Sequence, residues 1–170
     1  MNLDSVDNVC EEKVFNHIFS SNSKMVFNYI YYKFGNEEKA QDVVQEAFVK
    51  LWENCAKVIP AKAKSYVYTI ANNLYLNVIK AEKVRLKYAH LNKDVTNETP
   101  EFLLEEKQFH DKLENALNSL PDNQRTTFLL NRIDKMKYAE IAKMEGVSVK
   151  AIEKRMHLAL KSLREQIDGI

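Results

Sequence analysis

Apolar residues recur along the chain at spacings of three and four, the repeat expected of helices that bury one face. The first stretch covers residues 11–34 and is interrupted by the polar run SSNSK. This pattern predicts a helix of two turns followed by a longer helix. Gly35 and Asn36 are expected to end it. Residues 37–54 then place six apolar side chains on one stripe, which are Ala40, Val43, Val44, Ala47, Phe48 and Leu51.

A third helix is predicted over residues 64–91, after a short loop around Pro60. Five apolar residues form its inward stripe, which are Val67, Ile70, Ala71, Leu74 and Val78. Its other face carries polar, aromatic and basic residues in one continuous ridge, which are Tyr66, Asn73, Asn77, Lys80 and Lys87.

The second half of the chain repeats the helical pattern in shorter pieces. Residues 107–119 predict a helix, and Pro121 is expected to preset the first turn of the next, whose buried side would be Phe128, Leu129 and Ile133. A short helix at 138–144 and a turn at 145–147 lead to a long helix, for which Ser148 is a natural N-cap. Its apolar stripe comprises Ile152, Met156, Ala159, Leu160, Leu163 and Ile167.

Composition supports an all-α protein, because 170 residues contain only 3 Gly and 3 Pro. Residues 92–106 are acidic and lose the stripe, so we predict two small helical domains, 1–91 and 107–170, joined by this short linker. Cys10 and Cys55 cannot make a disulfide scaffold and have no zinc-ligand partners in sequence, which favours a reducing cytoplasm. No secretory signal or membrane-spanning run is expected.

The net charge of +1 hides an alternating distribution. Residues 57–93 hold 8 basic and 1 acidic residue, and residues 125–170 hold 10 and 6; the intervening residues 94–124 hold 2 and 8. Two separate basic surfaces that meet phosphate would produce this pattern, although solvated helix faces would produce it too.

Residues 138–163 have the features of a helix-turn-helix. Ala142 is small enough for two helices to cross closely, Gly146 suits the turn, and apolar plugs are expected at Ile141, Val147 and Ile152. The second helix begins with exposed cations that could meet phosphates and base edges in a major groove.

Residues 120–165 closely resemble region 4 of the extracytoplasmic-function sigma factors, a group within the sigma-70 family of bacterial RNA polymerase specificity subunits. AQDVVQEAFVKLWEN, residues 40–54, is similar to their region 2.2, and SYVYTIANNLYLNVIK, residues 65–80, is similar to regions 2.3 and 2.4. The resemblance implies a protein that binds core polymerase, recognises promoters and initiates transcription, with an anti-sigma factor as inhibitor.

The resemblance also implies site residues. The melted minus-ten strand would meet Lys62, Lys64, Tyr66, Asn73, Asn77 and Lys80. The minus-thirty-five duplex would meet Ser148, Lys150, Ala151, Lys154, Arg155 and His157. The polymerase clamp would meet Asp42, Gln45, Glu46 and Lys50. The loop of residues 55–63 resembles the one that captures a flipped promoter base.

Several alternatives remain open at this point. Trp52 fits either the core or an interface, and we favour the core. Arg125 and Arg132 suit phosphates or nearby carboxylates equally well. No nucleophile-base pair, phosphate loop, metal-ligand set or cofactor fingerprint is present, so we expect no enzyme activity, no cofactor and no small-molecule substrate. The alternative function is a stand-alone helix-turn-helix regulator with a helical sensor or dimerisation domain.

Overall fold

The computed structural model describes residues 8–88 and 104–167, with side chains described for residues 8–82 and 111–167. These residues form helices and no strand, which confirms the predicted all-α class. The helices are α1 Glu12–Phe34, α2 Glu37–Glu53, α3 Pro60–Tyr88, α4 Leu104–Ser119, α5 Asp122–Arg132, α6 Tyr138–Glu145 and α7 Val149–Gln166.

The chain divides into two compact units, Met1–Ile79 and Lys80–Ile170. Residues 92–103 of the predicted linker lie outside the described residues. The last three linker positions, 104–106, belong to α4, which begins three residues earlier than the spacing predicted.

The polar run in the first stretch does not break the helix, so the prediction of two pieces was wrong. α1 is continuous over 23 residues. Ser20 Oγ donates to the His17 carbonyl at 3.2 Å, and Asn22 Nδ2 donates to the Ile18 carbonyl at 2.7 Å. Because these side chains bond to carbonyls of the preceding turn, they do not draw the backbone into another conformation.

A tight corner joins α1 and α2. Gly35 adopts the left-handed conformation with φ 63°, and its N–H donates to the Tyr31 carbonyl at 2.7 Å. Asn36 caps α2, because its side chain accepts from the Lys39 N–H at 2.9 Å. The six-residue apolar stripe predicted for α2 is buried in full.

The core of the first unit combines α1 and α2 aliphatics with aromatic rings of α3. Val67 and Ala71 are buried as predicted, and the pattern missed Tyr68 and Tyr75, which are 3% and 6% exposed. The rings of Tyr29 and Tyr68 meet edge to face at 5.5 Å between centroids. This aromatic contact fixes the rotation of α3, and with it the direction of its opposite face.

α3 starts at Pro60, four residues before the predicted start. Proline suits the first turn of a helix because its fixed φ is already helical and its missing N–H leaves nothing unsatisfied there. The Lys62 N–H donates to the Ile59 carbonyl at 2.9 Å at this entry. The last part of the predicted loop 55–63 is therefore the first turn of α3, and a short 3₁₀ turn, Cys55–Lys57, precedes it.

Cys10 and Cys55 form a disulfide with their Cα atoms 4.9 Å apart. Their separation of 45 residues gave no local signal of this pairing. The contact arises because the residues before α1 fold back against the end of α2. We predicted that Cys10 and Cys55 cannot make a disulfide scaffold, and that prediction did not foresee this single bond.

An aliphatic cluster in the second unit joins the end of α4 to α7. Its buried residues are Ala116, Leu120, Ala159, Leu163 and Ile167. The buried stripe predicted for α7 is confirmed at Ile152 and Met156 as well.

The buried side of α5 is rotated from the predicted one. Thr126, Thr127 and Leu130 are buried, whereas Ile133 is 63% exposed, so the prediction for Ile133 was wrong. Thr127 Oγ1 donates to the Asn123 carbonyl at 2.8 Å, and this internal bond allows the hydroxyl to be buried. Pro121 lies at the N-cap, one residue before the first-turn position we expected.

The predicted helix-turn-helix geometry is present in α6 and α7. Gly146 has φ 66° and the Val147 N–H donates to the Ala142 carbonyl at 3.0 Å, which closes the turn. Ser148 caps α7 by accepting from the Ala151 N–H at 3.2 Å. Ile141 and Ile152 are fully buried in the angle between the helices, which sets their crossing.

No helix within the described ranges has both the length and the apolar character that a membrane span requires.

Candidate nucleic-acid interface

One face of α3 carries most of the residues predicted for the minus-ten strand. At 100° per residue these positions fall within about 60° of one another, and 18 residues of helix extend them over about 27 Å. All are exposed except Tyr66, which is half-buried. We call this surface the α3 ridge, and it comprises Lys62, Tyr66, Asn73, Asn77 and Lys80.

Two lysines that the sequence pattern predicted on or near this face, Lys64 and Lys87, are not part of the α3 ridge as defined. Lys64 is exposed, but its position on α3 is about 160–200° from that of its neighbours Lys62 and Tyr66. The side chain of Lys87 lies outside the described residues. Thr69 and Leu76, which the pattern did not single out, are exposed between ridge residues.

An open pocket of about 300 Å³ lies at the start of the α3 ridge. This volume is at the lower end of the range of ~300–1,000 Å³ found for small-molecule pockets. Tyr66 and Ile59, which is 54% exposed, supply apolar and aromatic surface, and two lysines supply positive charge. We call it the loop pocket, and its lining residues are Asn54, Lys57, Val58, Ile59, Lys62 and Tyr66.

In α7 three of the residues predicted for the minus-thirty-five duplex share the face opposite the buried stripe. Lys150, Lys154 and His157 are exposed there, and Lys161 continues the same face one turn further on. Ser148 is an N-cap, so its hydroxyl is engaged with backbone, and Ala151 is half-buried at the flank. We call Lys150, Lys154, His157 and Lys161 the α7 cationic face.

Arg155 differs from the other cations of α7. Its Nη1 donates to Glu145 Oε2 at 2.6 Å, and the side chains are 20% and 7% exposed. The guanidinium therefore ties the start of α7 to the end of α6. In this position its first effect is to hold the α7 cationic face in place.

The exposed face of α2 contains the predicted polymerase contacts and two large apolar side chains. Asp42, Gln45 and Glu46 are exposed on it, and Lys50 lies at its edge, 3.4 Å from Glu46. This surface ion pair between adjacent turns contributes little to stability.

Trp52 is 46% exposed and Val49 is 49% exposed, so our prediction of a core position for Trp52 was wrong. The Trp52 ring contacts Phe15 edge to face with centroids 5.0 Å apart. These side chains border an aromatic groove of about 420 Å³ between α1 and α2, lined by Glu12, Phe15, Phe19, Gln45, Phe48, Val49 and Trp52.

The sequence contained a signal for this groove. On a helical wheel Val49 falls opposite the stripe that α2 buries, and Trp52 falls at the flank of the polar side, next to Gln45. Apolar residues on the polar face of a strongly amphipathic helix indicate an interaction surface rather than a core. The loop pocket, in contrast, depends on a turn whose shape the sequence did not reveal.

The structure also shows the surroundings of the two arginines, Arg125 and Arg132, whose partners the sequence left open. Arg125 pairs with Asp122 at 3.1 Å, which is the carboxylate alternative, while Arg132 is exposed. Among the described side chains, no three metal-ligating groups are close enough together to hold an ion.

Family models match both units. Sigma-70 region 2 matches residues 18–85, which include the aromatic groove, the loop pocket and the α3 ridge. Sigma-70 region 4 matches residues 110–163, which include the helix-turn-helix and the α7 cationic face.

Similar proteins agree with these matches. SigV of Bacillus subtilis, an RNA polymerase sigma factor, is 30% identical over 149 residues, covering 85% of this chain and 82% of that protein. The ECF RNA polymerase sigma factor SigE of Mycolicibacterium smegmatis is 26% identical over 147 residues, covering 84% of this chain and 57% of that protein. RpoE of Bartonella quintana, solved in complex with the anti-sigma factor NepR, shares the fold with a TM-score of 0.66, 20% identity, and coverage of 91% and 96%.

Two helical units, matched in order by regions 2 and 4, define a sigma-70-type transcription initiation factor. The chain belongs to the sigma-70 family, within its extracytoplasmic-function group.

Proposed function

We propose that this chain directs core RNA polymerase to specific promoters, with each unit carrying a different contact to DNA. The observation that carries the proposal is the presence of two chemically distinct surfaces in one chain: the α3 ridge, which lies in the first unit except for Lys80, and the α7 cationic face, which lies in the second. The order of the two matched regions supports the same division of labour.

The α3 ridge and the loop pocket bind the melted minus-ten strand. An aromatic ring at Tyr66 can stack on any base, while the amides of Asn73 and Asn77 can pair with base edges. Base stacking is worth about 1–3 kcal/mol per base, which is comparable to the cost of unstacking one. A base placed in the loop pocket would thus offset the cost of leaving the duplex.

The α7 cationic face enters the major groove of the minus-thirty-five element. The capped N-terminus of α7 brings a positive dipole end to the phosphates, and Lys150 and Lys154 add two full charges. Glu153, exposed beside them, can accept from a cytosine amino group and so influences which sequence is chosen.

The exposed face of α2 and the aromatic groove bind core polymerase. Asp42 and Glu46 give the face a negative edge that orients the encounter, and Trp52 supplies a large apolar anchor. Tryptophan is among the residues most often found to dominate binding energy at interfaces. The combination of an exposed ring with neighbouring carboxylates therefore supports a protein partner at this face.

We infer that an anti-sigma factor restrains the chain by covering these faces, and that the chain works in the cytoplasm, where polymerase and promoters are. The structure of Bartonella RpoE with NepR supports the first inference. The chain has no catalytic role of its own in this account, since nucleotide addition belongs to the polymerase.

The test is reconstitution of the purified full chain with core polymerase. We expect co-purification of the two and promoter-directed run-off transcripts from genomic fragments, neither of which the free chain produces. Trp52→Ala is expected to weaken the association, and Tyr31→Ala, which removes an exposed ring on α1 outside the aromatic groove, serves as the matched control. Duplex binding at full strength without polymerase would instead favour a stand-alone regulator.

A further inference from the structure

The disulfide between Cys10 and Cys55 lies next to the loop pocket. Cys55 is the first residue of the 3₁₀ turn, directly after Asn54 and two residues before Lys57, both of which line the pocket. The Lys57 N–H donates to the Asn54 carbonyl at 2.9 Å, and the Val58 N–H donates to the Cys55 carbonyl at 3.4 Å. The backbone that forms one wall of the pocket is thus the backbone that carries Cys55.

The other end of the disulfide is firmly anchored. Val9, the neighbour of Cys10, is fully buried. Asn8 forms a turn with the residues that follow, because its side-chain oxygen accepts from the Cys10 N–H at 3.0 Å and its carbonyl accepts from the Glu11 N–H at 2.9 Å. This turn leads directly into α1, so Cys10 is attached to the core of the unit.

Without the disulfide the wall of the loop pocket is held weakly. The 3₁₀ turn has three residues, none of them buried. Of its neighbours Val58 is buried, whereas Ile59 is 54% exposed. A short turn with few buried contacts opens locally at low free-energy cost, and a cross-link to an anchored segment removes that freedom.

We propose that Cys10 and Cys55 form a reversible redox site that controls the loop pocket. The oxidised pair holds the pocket in the shape that accepts an unstacked base, and the reduced pair releases the wall. This inference rests on the proposed function, because it concerns the step at which a promoter base enters the pocket. It adds a second input, the redox state, to the control of promoter opening.

The chemistry balances with a hydroperoxide as oxidant. One thiolate attacks the peroxide to give a sulfenic acid and, with H₂O₂, hydroxide that is protonated to water. The second thiol then displaces water from the sulfenic sulfur and forms the S–S bond, so that two thiols and one H₂O₂ give one disulfide and two waters. A cellular dithiol reverses the reaction by thiol–disulfide exchange and becomes a disulfide itself.

Exposure is consistent with such a site. Cys10 and Cys55 are both half-buried, so neither is sealed in the core. In a reducing compartment the resting pair is two thiols, which are close enough to pair again because the Cα atoms lie 4.9 Å apart in the bonded form.

The experiment compares one polypeptide in two redox states. Full-length chain is treated with H₂O₂ or with dithiothreitol, its disulfide content is measured by thiol alkylation and mass spectrometry, and each form is assembled anaerobically with core polymerase after the reagent is removed. Promoter opening is followed by 2-aminopurine fluorescence at the minus-ten element. We expect opening about five-fold faster for the oxidised form, and equal polymerase affinity for both.

Two controls keep the result specific. Cys10→Ser/Cys55→Ser should open promoters at the rate of the reduced chain and should not respond to either reagent. On a template already melted at the minus-ten element, with the captured base removed, the two redox forms should act equally. Both forms should have the same helical circular dichroism.

The outcomes separate this inference from the proposed function. Normal promoter-directed transcription with equal opening rates, or failure of H₂O₂ to form the bond, would overturn the redox site alone. Loss of helicity on reduction would overturn the proposal that the disulfide acts only on the wall of the loop pocket. Absence of polymerase binding in both states would overturn the proposed function and this inference with it.

Discussion

The two surfaces proposed to bind nucleic acid, the α3 ridge and the α7 cationic face, are of different kinds. The α3 ridge is long and mixed, with amides, an aromatic ring and a pocket at one end. The α7 cationic face is short and carries lysines and a histidine beside a capped helix start. Amides and rings can read an unpaired base, while cations on a helix suit an intact duplex, so the chemistry of each surface indicates the form of DNA that it meets.

The units also differ in what holds their surfaces in place. The first unit relies on edge-to-face aromatic contacts and on the Cys10–Cys55 disulfide. The second relies on aliphatic packing and on the ion pair between Arg155 and Glu145. Reduction should therefore destabilise the first unit alone, whereas removal of the Glu145 carboxylate should destabilise the second.

The largest expected effect is on the stability of the first unit. Cys10→Ser/Cys55→Ser removes a cross-link over 45 residues, which should lower the free energy of unfolding of this unit by up to about 4 kcal/mol. Native-state hydrogen exchange can follow the two units separately. Amides of α5 and α7 should keep their protection, and an equal loss there would show that the units unfold together.

The next largest effect is on polymerase binding, for which the first unit is expected to supply most of the binding energy. Trp52→Ala removes the exposed ring of the aromatic groove and should weaken affinity for core polymerase by about 2–3 kcal/mol, roughly 30- to 150-fold. Fluorescence anisotropy with labelled chain measures this. A change no larger than that of Tyr31→Ala would remove the groove from the interface.

In the second unit, Glu145→Ala leaves Arg155 without its carboxylate. Since Arg155 is 20% exposed and can still be hydrated, we expect a loss of about 2 kcal/mol in stability, less than for a fully buried pair. Thermal unfolding measures the loss, and Glu153→Ala, an exposed acid on α7, is the matched control. Equal effects of the two substitutions would contradict the positioning role.

The smallest effect is on salt dependence. Lys154→Ala should reduce by about 1 the slope of log affinity against log salt for a minus-thirty-five duplex, since one phosphate contact is lost. Lys112→Ala, exposed on α4, is the control and should leave the slope unchanged. Titrations of the polymerase-bound chain at several salt concentrations give both slopes.

Much of this architecture could be predicted from local pattern. The apolar stripes of α2 and α7, the cap at Ser148 and the turn at Gly146 depend on neighbouring residues, and the structure confirms them, except that Leu160 of the α7 stripe is only half-buried. The prediction failed where polar side chains bond to carbonyls of their own helix. Asn22 lies in the polar run that we expected to interrupt α1, and Thr127 lies on the buried side of α5, which we expected to be apolar.

Features that depend on residues far apart in the sequence could not be predicted from the local pattern. The disulfide joins residues 45 positions apart, and no periodicity reports on such a pairing. Arg155 carried the charge expected of a DNA contact, but its carboxylate partner lies on another helix. The exposure of Trp52 was readable from its place on the polar face of α2, and aromatic size misled us towards the core.

The central claim is that the α3 ridge acts when DNA melts and the α7 cationic face acts before it. Permanganate footprinting of open complexes, combined with gel-shift measurement of closed complexes at low temperature, tests this most directly. Asn73→Ala should reduce permanganate reactivity about ten-fold while closed complexes form normally. Lys150→Ala/Lys154→Ala should reduce closed complexes first. Equal footprints for Asn73→Ala and the unaltered chain, or losses at the same step for both variants, would contradict the account.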